Sequence, residues 1–413
     1  MTSGPKTEPR PASSTPQTSI FVILALDVLN HFRHDKMLEF DLAEIVEGST
    51  KLLVPKDSLS EKTPPKEPAF FNPKARVSRD FSIIAYSTFL KNFKGPKIFL
   101  DSLAGIGARS IRVANEISSI EKVVANDVNA QALEIGKSIA KLNQVTNCEF
   151  SENEACRFLS LHSSRDGRGA IVDVDPFGSP SRYLDCAIRA TFHGGLLSVT
   201  ATDLTVLHGI FPEACQRKYY GTPVRTTYGN EIALRLVLGC MNLVAGRMDI
   251  MIAPLFVQHS MHYYKAYARI LVRTNTKNCM GYILHCDNCG NRRASHEIEN
   301  VCNICNSRVK LSGPLWIESL HDKNFVDAMV SEEKNLKVDK SCLTYLEKCQ
   351  EETDMPPSYF TLDEIGHRNQ SAPPSLDKII EKIQNIGLKA TKTSMNPTGF
   401  KTDARIDEII SLV

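Results

Sequence analysis

Long apolar runs are absent from this chain: no stretch approaches the roughly 18 consecutive apolar residues a membrane-spanning helix needs. Charge of one sign is missing too. Lys and Arg number 49 against 47 Asp and Glu, a net charge of +2, so any basic surface meeting nucleic acid must be local. The apolar segment from Ile20 to Leu29 is short, contains Asp27 and lacks a basic leader and a cleavage site, so it reads as a strand or helix and not a signal. The twelve cysteines make no secreted disulfide framework. Four fall in two CxxC pairs and the rest are scattered, a pattern expected of a cytoplasmic protein. Two phosphate signatures are also lacking, the GxGxxG fingerprint and the Walker lysine.

What is present begins with residues 98–113, IFLDSLAGIGARSIRV. An apolar strand runs through Asp101 into Gly105 and Gly107 and then a helix, so the backbone can approach a ligand closely. The next strand, Val123 to Ala125, ends in Asn126-Asp127, 20 residues after Gly107, where a ribose hydroxyl pair would be gripped. Glu154-Ala155 is a candidate third-strand end that could reach an adenine. A second motif follows in AIVDVDPFGSP: a buried strand stopped by Asp175-Pro176-Phe177-Gly178. A lone Asp-Pro pair is an ordinary turn. Placed after the glycine turn and Asp127, it instead marks a doubly wound sheet with one nucleotide-like ligand across its switch point. A ligand with ribose and adenine but no phosphates fits the missing signatures, which favours S-adenosylmethionine and a methyltransferase over a dehydrogenase.

The chain, at 413 residues, has room for two or three domains. Residues 1–36 form a poorly defined extension, of which 1–19 should be disordered. Residues 37–273 hold the nucleotide-binding sheet, with a hairpin between Glu39 and Pro55, a helix over Ile83–Phe93, and closing strands near Asp249–Val257 and Tyr263–Arg273. In residues 274–330, Cys286-x-x-Cys289 and Cys302-x-x-Cys305, with 12 residues between the pairs, place four thiolates around a structural zinc. His285 and His296 read as surface residues. Residues 331–413 read as helix, helix and basic hairpin, the outline of a winged helix whose Lys389, Lys392, Lys401 and Arg405 would face a nucleic-acid backbone. Arg217-Lys218-Tyr219-Tyr220 is either a phosphate clamp with stacking rings or a solvated helix end.

Taken together, FFNP, SRDFS, DSLAGIGARS, NDVNA, DVDPFGSP, TATD and the closing NPTGFKT resemble the tRNA guanine-N2 dimethyltransferases that act on guanine 26. The resemblance runs over roughly residues 40–410. It implies an α/β, Rossmann-like class I methyltransferase domain with a zinc-ribbon-like segment and a C-terminal winged-helix-like domain, S-adenosylmethionine as donor and tRNA as substrate. No membrane and no obligate protein partner are implied. Carried over by motif, Arg79, Arg109, Asp127, Glu154 and Ala155 look like the cofactor shell, beside Asp101, Gly105 and Gly107 of the turn. Phe70 and Phe177 look like rings around the target base and Asp175 like the catalytic group. Glu154-Ala155-Cys156 departs from the Asp-Ala-Asn common in the family.

Chemistry agrees with guanine. Its N1–H and N2–H are adjacent donors, which a carboxylate matches with two acceptors, whereas asparagine would offer one acceptor and one donor and suit adenine. Two other functions stay open: an exocyclic-amine methyltransferase for rRNA guanine or DNA adenine, and a non-catalytic zinc-ribbon RNA-binding protein.

Overall fold

Residues 40–272 and 278–413 are described by the structure, a computed structural model. The expectations for residues 1–19 and for Ile20 to Leu29 lie outside the described residues. The expected hairpin is present as β1 (Leu42–Glu47) and β2 (Thr50–Pro55). Its turn needs Gly48, at φ +59°, because a Cβ there would run into the Glu116 and Arg112 side chains.

The central sheet contains β3 (Ile98–Asp101), β4 (Lys122–Asp127), β5 (Cys148–Glu152), β6 (Gly169–Val174), β7 (Thr191–Ala201), β8 (Ile250–Ser260) and β9 (Tyr263–Val272). Their order is β5-β4-β3-β6-β7-β9-β8; β9 pairs antiparallel with both β7 and β8, and the other pairs are parallel. Successive residues point to opposite faces. Leu100, Val124, Val172 and Leu197 therefore enter one core, with helices Ala155–Leu161, Leu184–Ala190 and Gly229–Gly246. Phe99, Val123, Ile171 and Leu196 enter the other, under helices Arg76–Asn92, Lys323–Glu333 and Ser341–Glu352. The helix Arg76–Asn92 begins about two turns before the expected start at Ile83. Asn72 caps a short turn, Pro73–Ala75, that runs straight into it. The chain order reverses between β3 and β6, so the crevice at their carboxyl ends is the switch point.

The zinc-ribbon-like segment is a three-stranded sheet of β10 (Met280–His285), β11 (Arg292–Ser295) and β12 (Lys310–Trp316), with β10 in the middle. Toward the C-terminus, β13 (Phe360–Thr361), β14 (Ala390–Lys392) and β15 (Gly399–Thr402) pair antiparallel beside helices Leu362–Asn369 and Leu376–Asn385, the winged-helix outline.

Two expectations are corrected here. Lys401 does not face solvent. It is 3 % exposed and donates to Glu231 at 2.8 Å, in the helix Gly229–Gly246, because the hairpin packs against that helix. Lys392 and Arg405 pair with Asp377 and Asp407, which leaves Lys389 without an ion-pair partner among the described residues. His285 is buried, not a surface residue, and bonds Tyr228 at 3.1 Å. The structure also joins Cys156 and Cys186 in a disulfide that the scattered cysteine pattern did not announce.

Candidate active site

Strand β6 is buried along its whole length, yet it carries Asp173. Register sets Asp173 beside Asp101 of β3, two acids on neighbouring strands at the switch point. A buried carboxylate needs partners. Asp173 has three: Tyr86 donates at 2.7 Å, Lys265 of β9 at 2.8 Å, and Arg109 makes a short ion pair. Burial alone would raise its carboxyl, but Arg109 and Lys265 together hold it well below the usual range. Asp101 goes the other way. Burial, then the Asp173 charge, push it up to about 7, although Ser110 donates to it at 2.6 Å.

The second arm of Arg109 donates to Asp175 at 2.6 Å. The residue carried over as part of the cofactor shell thus sits between the buried acid and the proposed catalytic one. Asp175 keeps 27 % of its side chain exposed at the strand end. Beyond it, Gly178 (φ +79°) turns the chain and is tied to Thr202, which accepts its N–H at 2.6 Å. Phe177 is 67 % exposed and meets Phe70 edge-to-face, centroids 4.8 Å apart. A base held flat between them needs roughly 7 Å, two layers of van der Waals contact, so the rings must part to admit it.

On the cofactor side, Gly105 (φ +55°) and Gly107 (φ +73°) make the turn, and the N–H of Gly105 donates to Asp127 at 2.7 Å. Asp127 also accepts from Asn129 at 2.9 Å. One bond per oxygen leaves each with acceptor capacity for a ribose hydroxyl. Glu154 is exposed and caps the helix Ala155–Leu161, while Ala155 is buried beneath it. Arg79 lies further back: Glu47 takes two of its bonds, at 2.7 and 2.6 Å, the Asn72 carbonyl a third, and its guanidinium covers Phe71. Its position ties the hairpin and the FFNP segment to the helix, and its Nη1 takes no bond among the described residues.

Sequence reasoning missed Asp173, Lys265 and Tyr86. The signal was there for two of them: an acid inside GAIVDV and a lysine inside YYKAYARILV must find each other or a like partner. It passed over Val128 as well, an exposed apolar side chain (71 %) directly after Asp127.

The four sulfurs of Cys286, Cys289, Cys302 and Cys305 lie within 4.8 Å of one another, with Cys286–Cys305 at 3.4 Å and Cys289–Cys302 at 3.6 Å. Tetrahedral zinc with bonds of about 2.3 Å sets sulfurs roughly 3.8 Å apart, so the set fits that ion.

The sheet order and the switch-point crevice are those of a Rossmann-like class I methyltransferase fold. Comparison with known proteins narrows the class. The family described as N2,N2-dimethylguanosine tRNA methyltransferase matches residues 48–413. A tRNA (guanine(26)-N(2))-dimethyltransferase of Methanothermobacter thermautotrophicus is 32 % identical, covering 88 % of this chain and 96 % of its own. One from Methanosphaera stadtmanae is 31 % identical, covering 89 % and 96 %. The solved structure of Trm1 from Pyrococcus horikoshii with S-adenosyl-L-methionine superposes with a TM-score of 0.77 at 29 % identity, over 90 % of this chain and 99 % of that one. The chain belongs to the N2,N2-dimethylguanosine tRNA methyltransferase family. No helix among the described residues is long and apolar enough to cross a membrane.

Proposed function

We propose that this protein transfers one or two methyl groups from S-adenosylmethionine to the exocyclic N2 of guanine 26 in tRNA. The observation that carries this reading is the switch-point crevice. There, Asp127 is bonded to the glycine turn, Arg109 of the helix that follows the turn is bonded to Asp175, and Phe70, whose carbonyl lies against Gly105, meets Phe177 just beyond Asp175. S-adenosylmethionine, when bound, supplies an electrophilic methyl group on a sulfonium and needs no metal.

The protein's own residues supply position and charge. Asp127 holds the ribose hydroxyls, Gly105 and Gly107 let the backbone close on the donor, and Ala155 and Glu154 border the adenine. Arg79 uses its remaining donor toward the donor's carboxylate. Reaching N2 requires the guanosine to leave its stack, at a cost of a few kcal/mol. Stacking on Phe70 and Phe177 offsets that by about 1–3 kcal/mol per base. Asp175 accepts from N1–H and N2–H. Arg109, anchored on Asp173, fixes the direction of that carboxylate, and as N2 gains the methyl Asp175 draws its proton away. A pocket that opens by ring displacement admits the monomethylated base again. We assign the chemistry to residues 37–273, with residues 274–330 bracing the C-terminal region and residues 331–413 meeting the tRNA body. A cytoplasmic location accompanies this reading.

The deciding experiment is nucleoside mass spectrometry of unmodified tRNA incubated with the protein and S-adenosylmethionine. Methylguanosine at position 26 is expected. Methylation confined to rRNA or DNA would move the substrate to the rival reading, and no methylation with no cofactor binding would favour a non-catalytic RNA-binding protein.

The cofactor half has its own test. Asp127→Ala should weaken S-adenosylmethionine binding by about 2–4 kcal/mol, through loss of charge-assisted bonds to both hydroxyls. Unchanged affinity in calorimetry would take Asp127 out of the site.

We also propose that the four cysteines hold one structural zinc. Elemental analysis of protein prepared without chelator should find one equivalent, and Cys286→Ser should loosen residues 280–315 to proteolysis while cofactor binding persists. Metal-free protein with a fully ordered segment would refute this.

A further inference from the structure

The segment Arg217-Lys218-Tyr219-Tyr220 takes no part in the chemistry above, and the structure divides it in two. It ends the helix Pro212–Tyr219. Tyr219 is buried and donates to Asp203 at 2.5 Å, and Lys218 also pairs with Asp203, at 3.2 Å. Asp203 follows Thr202, the residue bonded to Gly178 in the turn that carries Phe177. The same helix packs on Ser181–Tyr183, just past that turn. Two side chains therefore anchor the helix end beside the base-side turn, and the other two point outward. Arg217 is exposed with no ion-pair partner among the described residues, and Tyr220 is 49 % exposed.

Tyr220 is also strained. Six non-glycine residues of the described chain have positive φ, and it alone is aromatic, at φ +61°. A bulky side chain in the left-handed region costs free energy, and small polar or glycine residues relieve it. Nothing in the fold of this helix end requires a ring: glycine or asparagine closes a helix there more favourably. The ring is held out at a local cost, on a helix end tied through Asp203 and its neighbour Thr202 to the turn that carries Phe177. At Phe177 itself, the Lys66 ammonium sits 5.7 Å from the ring centre.

We infer that Tyr220 and Arg217 form a docking shelf for the RNA strand flanking the target guanosine. Tyr220 stacks an unpaired base next to the extruded one, and Arg217 contacts the adjoining phosphate. Exposed rings alternating with free cations match the alternation of bases and phosphates along a single strand. The helix end is tied to the turn that carries Phe177, so a strand that places its guanosine between Phe70 and Phe177 meets Lys66 at that ring and runs on to Tyr220 and Arg217. This inference rests on the proposed tRNA substrate.

The test uses the full chain and an unmodified tRNA transcript, with dissociation constants measured over a salt series. Tyr220→Asn relieves the backbone strain, so its melting temperature should equal or exceed that of the parent. Its tRNA dissociation constant should rise about tenfold, within the range a lost stacking contact produces. Tyr220→Phe should bind like the parent. Arg217→Ala should lower the slope of log affinity against log salt by about one. S-adenosylmethionine affinity should stay unchanged in all three. If Tyr220→Asn and Arg217→Ala both bind tRNA within twofold of the parent with its salt slope, the shelf is not an RNA contact. If the parent protein itself binds no tRNA, the substrate reading fails first and takes the shelf with it.

Discussion

Asp175→Asn should lower kcat for tRNA methylation by at least about a hundredfold, the usual scale for removing a positioned acid or base. The substitution keeps the shape of the side chain but turns one acceptor into a donor. Of the two carboxylate oxygens, Arg109 already occupies one at 2.6 Å. An amide placed there must keep its oxygen toward Arg109, which turns its NH2 toward the guanine donors. Binding of S-adenosylmethionine should change little, because in the proposed function Asp175 meets the base and not the methyl donor. Asp175→Ala should be comparably inactive without the repulsion. A turn-forming role predicts another pattern, since asparagine is a good turn residue and would restore activity, stability and cofactor binding together. Near-parental methylation by Asp175→Asn would show that the carboxylate is not part of the chemistry.

The largest expected effect on stability comes from Asp173→Asn. Lys265 and Asp173 are both fully buried, and Arg109 nearly so. Removing the acid leaves two cations facing an amide, and breaking a buried pair in this way costs about 3–5 kcal/mol. The pH dependence has a defined sign. Asp173 titrates below its unfolded value, so its contribution is present above about pH 4 and is lost as pH falls further. The gap between parent and variant in urea midpoints should therefore be wide at pH 7 and narrower at pH 3. Asp101 works the opposite way. Raised to about 7, it contributes fully below about pH 4, and that contribution drains away as pH rises toward 7. Asp101→Asn should accordingly stabilise the protein at pH 8 relative to the parent and do little at pH 4. Equal shifts at both pH values would mean that the two acids are not held in opposite protonation states.

The structure also contains a disulfide between Cys156 and Cys186. It links the helix that begins at Ala155 to the helix Leu184–Ala190, which follows the DPFG turn. Two helices on one face of the sheet are thus covalently joined.

Much of the molecule could be read from local sequence. Apolar runs ended by Asp101, Asp127 and Asp175 identified strands and their carboxyl ends, because strand burial and the turn that follows are properties of a few consecutive residues. The CxxC pairs identified their cluster for the same reason: ligand spacing is a local property, and the sulfurs do converge. What the sequence could not settle was which charges meet. Arg109 follows the glycine turn in the chain, but only the parallel register of β3 with β6 brings it to Asp173 and Asp175. Lys265 reaches Asp173 across 92 residues because β9 inserts antiparallel beside β7. Lys401 read as a free cation in a basic hairpin and became a buried partner of Glu231, 170 residues away. In a folded chain a charge is exposed or buried according to the element packed over it, and that packing is decided by contacts between distant segments. The motifs were therefore legible in one dimension, and their electrostatic pairing belongs to the tertiary structure.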